Sequence, residues 1–357
     1  MNTYIKFITN TFLKSFLNLF MIMFSLIFIL NLLSELDFFK TIEVDTYFTL
    51  YLGLLNSPSL VFEMLPFIFL LSTQFFFINL FKNNELQIFK YSGLKNINII
   101  KIIAIITMIM GLIIIVVFYN LSSNLKNFYL DLKSNYTSDD KYLAVITNNG
   151  LWIKDKVDDK TYIINSSKID KNFLIDAFIS EFDDEYEIIR NIKSSKINIE
   201  NNIWQISDAK VFKGNIVKEE KFLELKSNFN YKRITSLYSN LSSLSIFQLF
   251  ELKKNYFLLG YSTTEVDVQL QKLLSFPFYF LLMTVFSSII MFNSKNFKNN
   301  TLKISIGLFS SVIIYYINNF FYVLGNTERI SILIAIWFPL IILGILNFIM
   351  LNKINEK

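Results

Sequence analysis

The sequence predicts an α-helical membrane protein with six transmembrane helices and a β domain of sandwich or jelly-roll type inserted after the third. Three observations carry this. Of 357 residues, 53% are hydrophobic and 17% aromatic, with 39 Phe, an apolar load above that of ordinary globular chains. Six stretches near the length a bilayer demands hold no Asp, Glu, Lys or Arg; about 20 helical residues cross a hydrocarbon core ~30 Å thick. Between the third and fourth stretches, residues 126–272 carry 21 Lys and Arg against 21 Asp and Glu, the balance of a water-exposed domain.

The apolar stretches run Ser15–Ser34, Met64–Phe81, Ile102–Leu125, Leu273–Ser294, Ile304–Thr327 and Ile330–Asn352. The first follows Lys6 and Lys14 as a signal peptide would. Its apolar run is too long and no small-residue cleavage site follows, so it reads as a retained helix. The second continues upstream through Tyr51–Leu60, interrupted only by Glu63. Lysines set the orientation: with the N-terminus inside, the cytoplasmic segments hold Lys6, Lys14, Lys82, Lys90, Lys95, Lys101, Lys295, Lys298, Lys303, Lys353 and Lys357, against Lys40 and Arg329 in the short outer loops. This is the positive-inside bias, and it places the inserted domain outside the cytoplasm.

Within that domain, Tyr142–Ile153, Lys160–Asn165, Phe173–Phe182, Glu185–Arg190, Lys193–Ile199, Ile203–Phe212 and Lys221–Phe229 are short runs rich in Ile, Phe, Tyr and Trp. Turn-prone pairs such as Asp158-Asp159, Asp183-Asp184 and Asn201-Asn202 separate them, so about seven strands are expected. From Ser245 to Asn255 the pattern is helical again. The divisions are then 1–125 for the first three spans, 126–268 for the β domain and 269–357 for the last three spans.

Absent residue types narrow the chemistry. The chain has no His and no Cys, which excludes Ser-His-Asp catalysis, thiol nucleophiles, disulfides and the usual zinc or haem sites. No Gly is followed by Lys, so the phosphate-cradling loop of nucleotide hydrolases is missing. The expectation is a non-catalytic chain with no metal and no directly bound cofactor. Acids match bases one for one in the inserted domain, leaving no electrostatic footprint for nucleic acid.

The segment Lys82–Lys101 is the most informative. Asn84 can cap a helix, Glu85 favours its positive end and Gln87 completes a capping-box spacing. Leu86, Phe89, Gly93, Ile97 and Ile100 then share one face of a helix over 84–100. Such a helix either inserts into a groove of a soluble partner or lies at the headgroup layer, held by Lys90 and Lys95. Glu63 is the ionisable residue well inside an apolar stretch, a functional candidate unless it sits at the outer interface. Asn31, Asn318 and Asn319, near outer helix ends, suit interhelical hydrogen bonds or a polar cavity wall. Pro58, Pro66, Pro277 and Pro339 read as helix starts or kinks.

In this arrangement the chain resembles the permeases of the lipopolysaccharide export system, the LptF/LptG (YjgP/YjgQ) family. Glu85-Leu86 with Ser92-Gly93 is similar to the Glu-Leu…Ala-Ser-Gly segment of the family's coupling helix. Gly150-Leu151-Trp152 with Lys154-Asp155 resembles the Gly-Leu-Trp-Ala-Lys-Asp start of the β domain on the LptG side. Leu274–Met283 with Pro277, Gly307–Phe321 and Trp337-Phe338-Pro339 resemble the fourth to sixth spans. The resemblance implies a permease of an ABC transporter in the bacterial inner membrane, with both termini cytoplasmic and a periplasmic β-jelly-roll domain. It would extract lipopolysaccharide from the membrane lipid and pass it to a periplasmic bridge. Implied partners are an LptF-like permease, an LptB-like ATPase dimer that uses the ATP, and LptC-like and LptA-like β-jelly-roll proteins. Glu85, Leu86, Phe89, Ser92 and Gly93 would contact the ATPase. Asn31, Lys40, Tyr315 and Asn318 would line the lipid cavity; Asn31 stands where some members carry a basic residue, and Lys40 is the nearest substitute. Two other classes fit the topology: another mechanotransmission subunit of the MacB-like kind, and a membrane sensor or scaffold with a ligand-binding β domain.

Overall fold

The computed structural model describes residues 3–41, 44–134, 136, 151–158, 160–170, 172–214, 216–231, 234, 240–258, 262–292 and 299–355. They form two compact units: Met1–Tyr129 with Ser242–Ile246 and Thr264–Lys357, and Leu130–Leu241 with Phe247–Thr263.

The first unit is helical. Its elements are α1 (Thr3–Phe38), α2 (Thr46–Lys82), the short α3 (Glu85–Tyr91), α4 (Asn96–Ile113) and the start of α5 (Asn120–Ser134), then α7 (Thr264–Phe292), α8 (Asn300–Asn326) and α9 (Ile332–Asn355). A π-helical turn over Ile114–Tyr119 joins α4 to α5. Among the described residues six helices are long and apolar enough to cross a membrane, α4, the π turn and α5 counting as one, and each covers most of one expected stretch. Both α2 and α7 bury 72% of their spans whereas α8 buries 11%, so α2 and α7 are the centre of the bundle. Glu63, Pro58 and Pro66 all lie inside the continuous α2; the acid does not end the helix because hydrogen bonding within the helix satisfies its backbone whatever side chain it bears.

Aromatic rings and small polar groups join the helices. Phe69 of α2 lies 4.7 Å from Phe16 of α1 and stacks 4.9 Å from Phe280 of α7. Thr107 and Thr284 hydroxyls meet at 3.3 Å between α4 and α7, and Ser287 donates to the Leu70 carbonyl at 2.8 Å. These are the short-range links expected where lipid offers no hydrophobic drive for helix association. At Gly111 a Cβ would stand 2.9 Å from Cα of Pro277, so the closest approach of α4 to α7 depends on this glycine.

The second unit holds six strands: β1 (Leu151–Val157), β2 (Lys160–Asp170), β3 (Phe173–Phe182), β4 (Ile188–Asn198), β5 (Ile203–Lys213) and β6 (Ile216–Lys226). They form one antiparallel sheet in sequence order, and α6 (Ile246–Leu258) belongs to the same unit. The described strands are the inserted β domain expected from the sequence, and each pairs with the next along the chain. The two short runs expected over Glu185–Arg190 and Lys193–Ile199 are one strand, since Asn191 and Ile192 pair with β3 and β5 on both sides. Of the run expected over Tyr142–Ile153, only the end from Leu151 falls among the described residues. β1 alternates strictly between buried and exposed, and Ile153, Ile164, Ile179, Ile192 and Trp204 are buried. Asp155 of β1 accepts from Ser227 Oγ at 2.7 Å and from the Asn228 amide N at 3.0 Å. The chain after β6 is thereby tied to the opposite edge strand. Trp204 Nε1 anchors the same segment by donating to the Phe229 carbonyl at 2.7 Å.

Inside this sheet Glu181 is buried, paired with Lys160 at 2.9 Å and with Arg190. Burial alone would raise its carboxyl pKa, but the hydrogen bonds and charges of Lys160 and Arg190 outweigh burial and hold it below its ordinary 4.5. A depressed acid stabilises the fold fully above its ordinary value, and the contribution is lost as pH falls through the lowered one.

Two outcomes are expected. Gly111→Ala in the full chain lowers stability by about 1–3 kcal/mol, the cost of overpacking a closed contact, read as a lower melting temperature in detergent. Hydrogen-exchange protection of β2–β4 falls as pH drops below about 4.5, and Glu181→Gln removes most of that pH dependence while lowering protection at neutral pH.

Candidate functional site

Two regions of the helical unit gather the residues that composition and spacing single out. The first is the link between α2 and α4. Asn83 ends α2, and Asn84 stands in the left-handed region with φ 58°, making no side-chain cap. Asn83 Nδ2 donates instead to Glu85 Oε1 at 3.3 Å. Seven residues on, the Leu94 N–H bonds to the Phe89 carbonyl at 2.9 Å and the Gly93 N–H to the Lys90 carbonyl at 3.0 Å, with Gly93 at φ 78°. This pairing is a Schellman motif, which closes a helix around a left-handed glycine.

The single helix expected over 84–100 is therefore corrected to α3, a turn, and α4 from Asn96. The common face expected for Leu86, Phe89, Gly93, Ile97 and Ile100 does not exist, because Gly93 terminates one helix rather than packing within a longer one. Leu86 is buried, and the Phe89 ring lies 5.9 Å from Phe7 of α1. These two side chains fasten α3 to its own bundle. The apolar groups α3 leaves exposed are Ile88 and Tyr91, the latter 88% exposed; the sequence pattern missed them because they lie on the opposite face. Ser92 is exposed and donates to the Ile88 carbonyl at 2.9 Å.

The second region is a small cavity of about 90 Å³ among α2, α7, α8 and α9. Its polar lining includes Glu63, Lys272, Tyr279, Tyr315, Asn318 and Tyr322. The Lys272 ammonium lies 4.7 Å from the Tyr322 ring centre and 5.8 Å from that of Phe276, a geometry in which aromatic quadrupoles hold a cation partly out of water. Glu63 acts electrostatically on Lys272 and on Lys126, and Lys126 Nζ also donates to Ser242 Oγ. On one side α9 closes the space, where Trp337 Nε1 donates to Gln271 Oε1 at 3.2 Å. Hydroxyls, amides, a carboxylate and a cation thus converge against aromatic faces, the makeup of a site for a polar, charged head attached to something apolar.

Of the four expected cavity residues, Tyr315 and Asn318 line this space, and so does Glu63. Asn31 is elsewhere: its Nδ2 donates to the Gly53 carbonyl at 3.0 Å and its Oδ1 accepts from Asn56 Nδ2 at 3.0 Å, joining α1 to α2. Lys40 is exposed in a 3-10 turn following α1. Lys272 was overlooked because it stands one residue before the fourth charge-free stretch, where a lysine reads as an interface anchor. In the sheet unit, Gly150 lies outside the described residues. Leu151 is buried opposite Ser166, while Trp152 is 53% exposed opposite Asn165; the motif divides between two faces of β1. Among the described residues no three His, Cys, Asp or Glu side chains are placed to hold a metal ion.

Compared with known families, residues 6–353 match the family described as lipopolysaccharide export system permease LptF/LptG. The match spans all six long helices and the sheet, and it does not separate the two branches. No curated protein matches the chain.

The loop geometry makes one expectation sharp. A Cβ at Gly93 would meet nothing within 4 Å, so Gly93→Ala carries only the backbone penalty of about 1–2 kcal/mol for a left-handed residue. Hydrogen exchange at Lys90–Leu94 in the full chain should rise, with the melting temperature of the bundle little changed.

Proposed function

Because the chain belongs to the LptF/LptG family of lipopolysaccharide export system permeases, we propose that it is the subunit of an ABC transporter that takes lipopolysaccharide out of the inner membrane. The observation that carries this reading is the cavity around Glu63 and Lys272, a cation and hydrogen-bonding groups set against tyrosines inside a membrane-crossing bundle. Lipopolysaccharide joins acyl chains to a phosphorylated sugar, and the cavity offers a partner to each polar part. Lys272 suits a phosphate, whereas Asn318, Tyr315 and Tyr322 suit sugar hydroxyls and amides. Exposed apolar side chains on α1 and α8, such as Leu26, Leu30, Phe309 and Phe320, provide the wall for the acyl chains and for a second permease.

The sequence contains no nucleotide-binding loop, so the energy is supplied by an ATPase in another chain. The docking element is α3, with Glu85 near its N-terminus and Ile88 and Tyr91 exposed. Lysine bias puts α3 and both chain ends in the cytoplasm and the sheet unit in the periplasm. There β6 supports edge-to-edge addition of a further β domain: it is the last strand of the sheet, with Val217 and Phe222 exposed. The run Gly150-Leu151-Trp152 with Lys154-Asp155 favours the LptG branch.

Depletion of the protein in cells should retain lipopolysaccharide in the inner membrane; unchanged delivery to the cell surface would sink the reading. Lys272→Ala should weaken crosslinking of the purified complex to lipopolysaccharide about 10-fold or more, as expected for loss of a charge-assisted contact worth ~1.5–3 kcal/mol. Glu85→Lys should release the ATPase on co-purification, because it places a cation at the positive end of α3.

A further inference from the structure

Lys303, at the start of α8, is a cation only 4% exposed, and three elements converge on it. Its ammonium donates to the carbonyl of Met291 in the last turn of α7 at 2.8 Å, a positive charge at the negative end of that helix. Its own carbonyl accepts from Gln74 Nε2 of α2 at 3.0 Å. The Phe81 ring, in the last turn of α2, lies 5.2 Å from the ammonium. One turn further along α8, a Cβ on Gly307 would stand 2.1 Å from Gln74 Nε2; the glycine is what admits the amide between the helices.

Gln74 is fully buried, and its Oε1 accepts no hydrogen bond among the described residues. A buried amide with half its hydrogen-bonding capacity unused stabilises less than an apolar side chain of the same length would. Stability is therefore a poor account of a glutamine at this position. The placement suggests another. α2 runs on from Gln74 through Phe81 to Lys82, and α3 begins at Glu85, so a displacement of α3 acts on the end of α2 roughly two turns beyond this contact. α8 runs the other way, from Lys303 to the cavity residues Tyr315 and Asn318, about 18–23 Å along the helix axis at 1.5 Å per residue. A rigid helix pivoting at Lys303 moves its cavity end, and a contact with one unused acceptor can exchange partners between two discrete arrangements.

We propose that Gln74 and Lys303, with Gly307 providing the space, form the joint that transmits movement of α3 to α7 and α8, acting as positioning residues for lipid release rather than as lipid contacts. This rests on the reading of α3 as the ATPase-docking element. The test uses the full complex, co-expressed with its partner permease and ATPase and reconstituted in liposomes containing lipopolysaccharide. Melting temperature, ATP hydrolysis and lipid released per ATP are measured together. Gln74→Met keeps the side-chain length and removes both buried polar atoms. It should leave the melting temperature equal or higher and ATP hydrolysis near the parent rate, while lipid released per ATP falls roughly fivefold, within the range by which residues between two sites alter coupling. Gly307→Ala, which displaces the amide, should show the same loss of release.

Parental release per ATP in Gln74→Met overturns the proposal. So does a lower melting temperature or a failure to accumulate, since the residue would then be structural. Glu85→Lys separates the two claims. If it leaves ATPase association intact, the docking role of α3 fails; if it releases the ATPase while Gln74→Met couples normally, the joint alone is wrong.

Discussion

Loss of water as a hydrogen-bonding partner is the constraint on which the helical unit depends. In an apolar medium a polar side chain is costly unless it finds a partner within the chain or lies along a polar cavity, and several contacts between helices supply such partners. Asn31 reaches the Gly53 carbonyl and Asn56. Glu35, buried in α1, accepts from the Tyr129 hydroxyl at 2.7 Å. Tyr119, where the π turn passes into α5, donates to the Leu244 carbonyl at 2.9 Å. The first two fix the rotation of one helix against a neighbour, which apolar packing in lipid determines only weakly; the third holds the loop before α6 against the π turn.

In the sheet unit water is plentiful and the buried acid follows another rule. Glu181 is stable there because two cations replace its hydration, and their attraction exceeds the burial penalty. The sheet holds its form through alternation of apolar side chains and through Asp155, which ties the end of the last strand to the first. Among the described residues β6 is the last strand of this meander, joined to β1 through the segment that follows it.

The two regions that define the candidate site lie on one helix. α2 carries Glu63 into the cavity, Gln74 into the contact with α8, and ends two residues before α3. Because α2 is a central, largely buried helix, it cannot move without its neighbours. The same helix thus bears the cavity acid and leads directly into α3. On α3, Leu86 and Phe89 face the bundle, whereas Ile88 and Tyr91 are exposed.

The number and order of spans, the inserted β domain and most strand positions were legible in the sequence, because they depend on local properties: the length of apolar runs, the alternation of side chains and turn residues between them. The lack of His, of Cys and of any Gly-Lys pair was equally plain. Tertiary structure decided the rest. It stopped α3 at Gly93, whose left-handed conformation is a property of the turn and not of the apolar period. It joined the two short runs around Asn191 into one strand, since pairing on both sides outweighs local polarity. Above all it sorted the polar residues of the spans: Asn31 went to a helix contact and Asn318, Glu63 and Lys272 to one cavity, although hydropathy treats all four alike. Which polar groups meet depends on helix rotation and neighbour choice, and those are settled by contacts between segments far apart in the chain, such as Gln74 with Lys303, 229 residues apart.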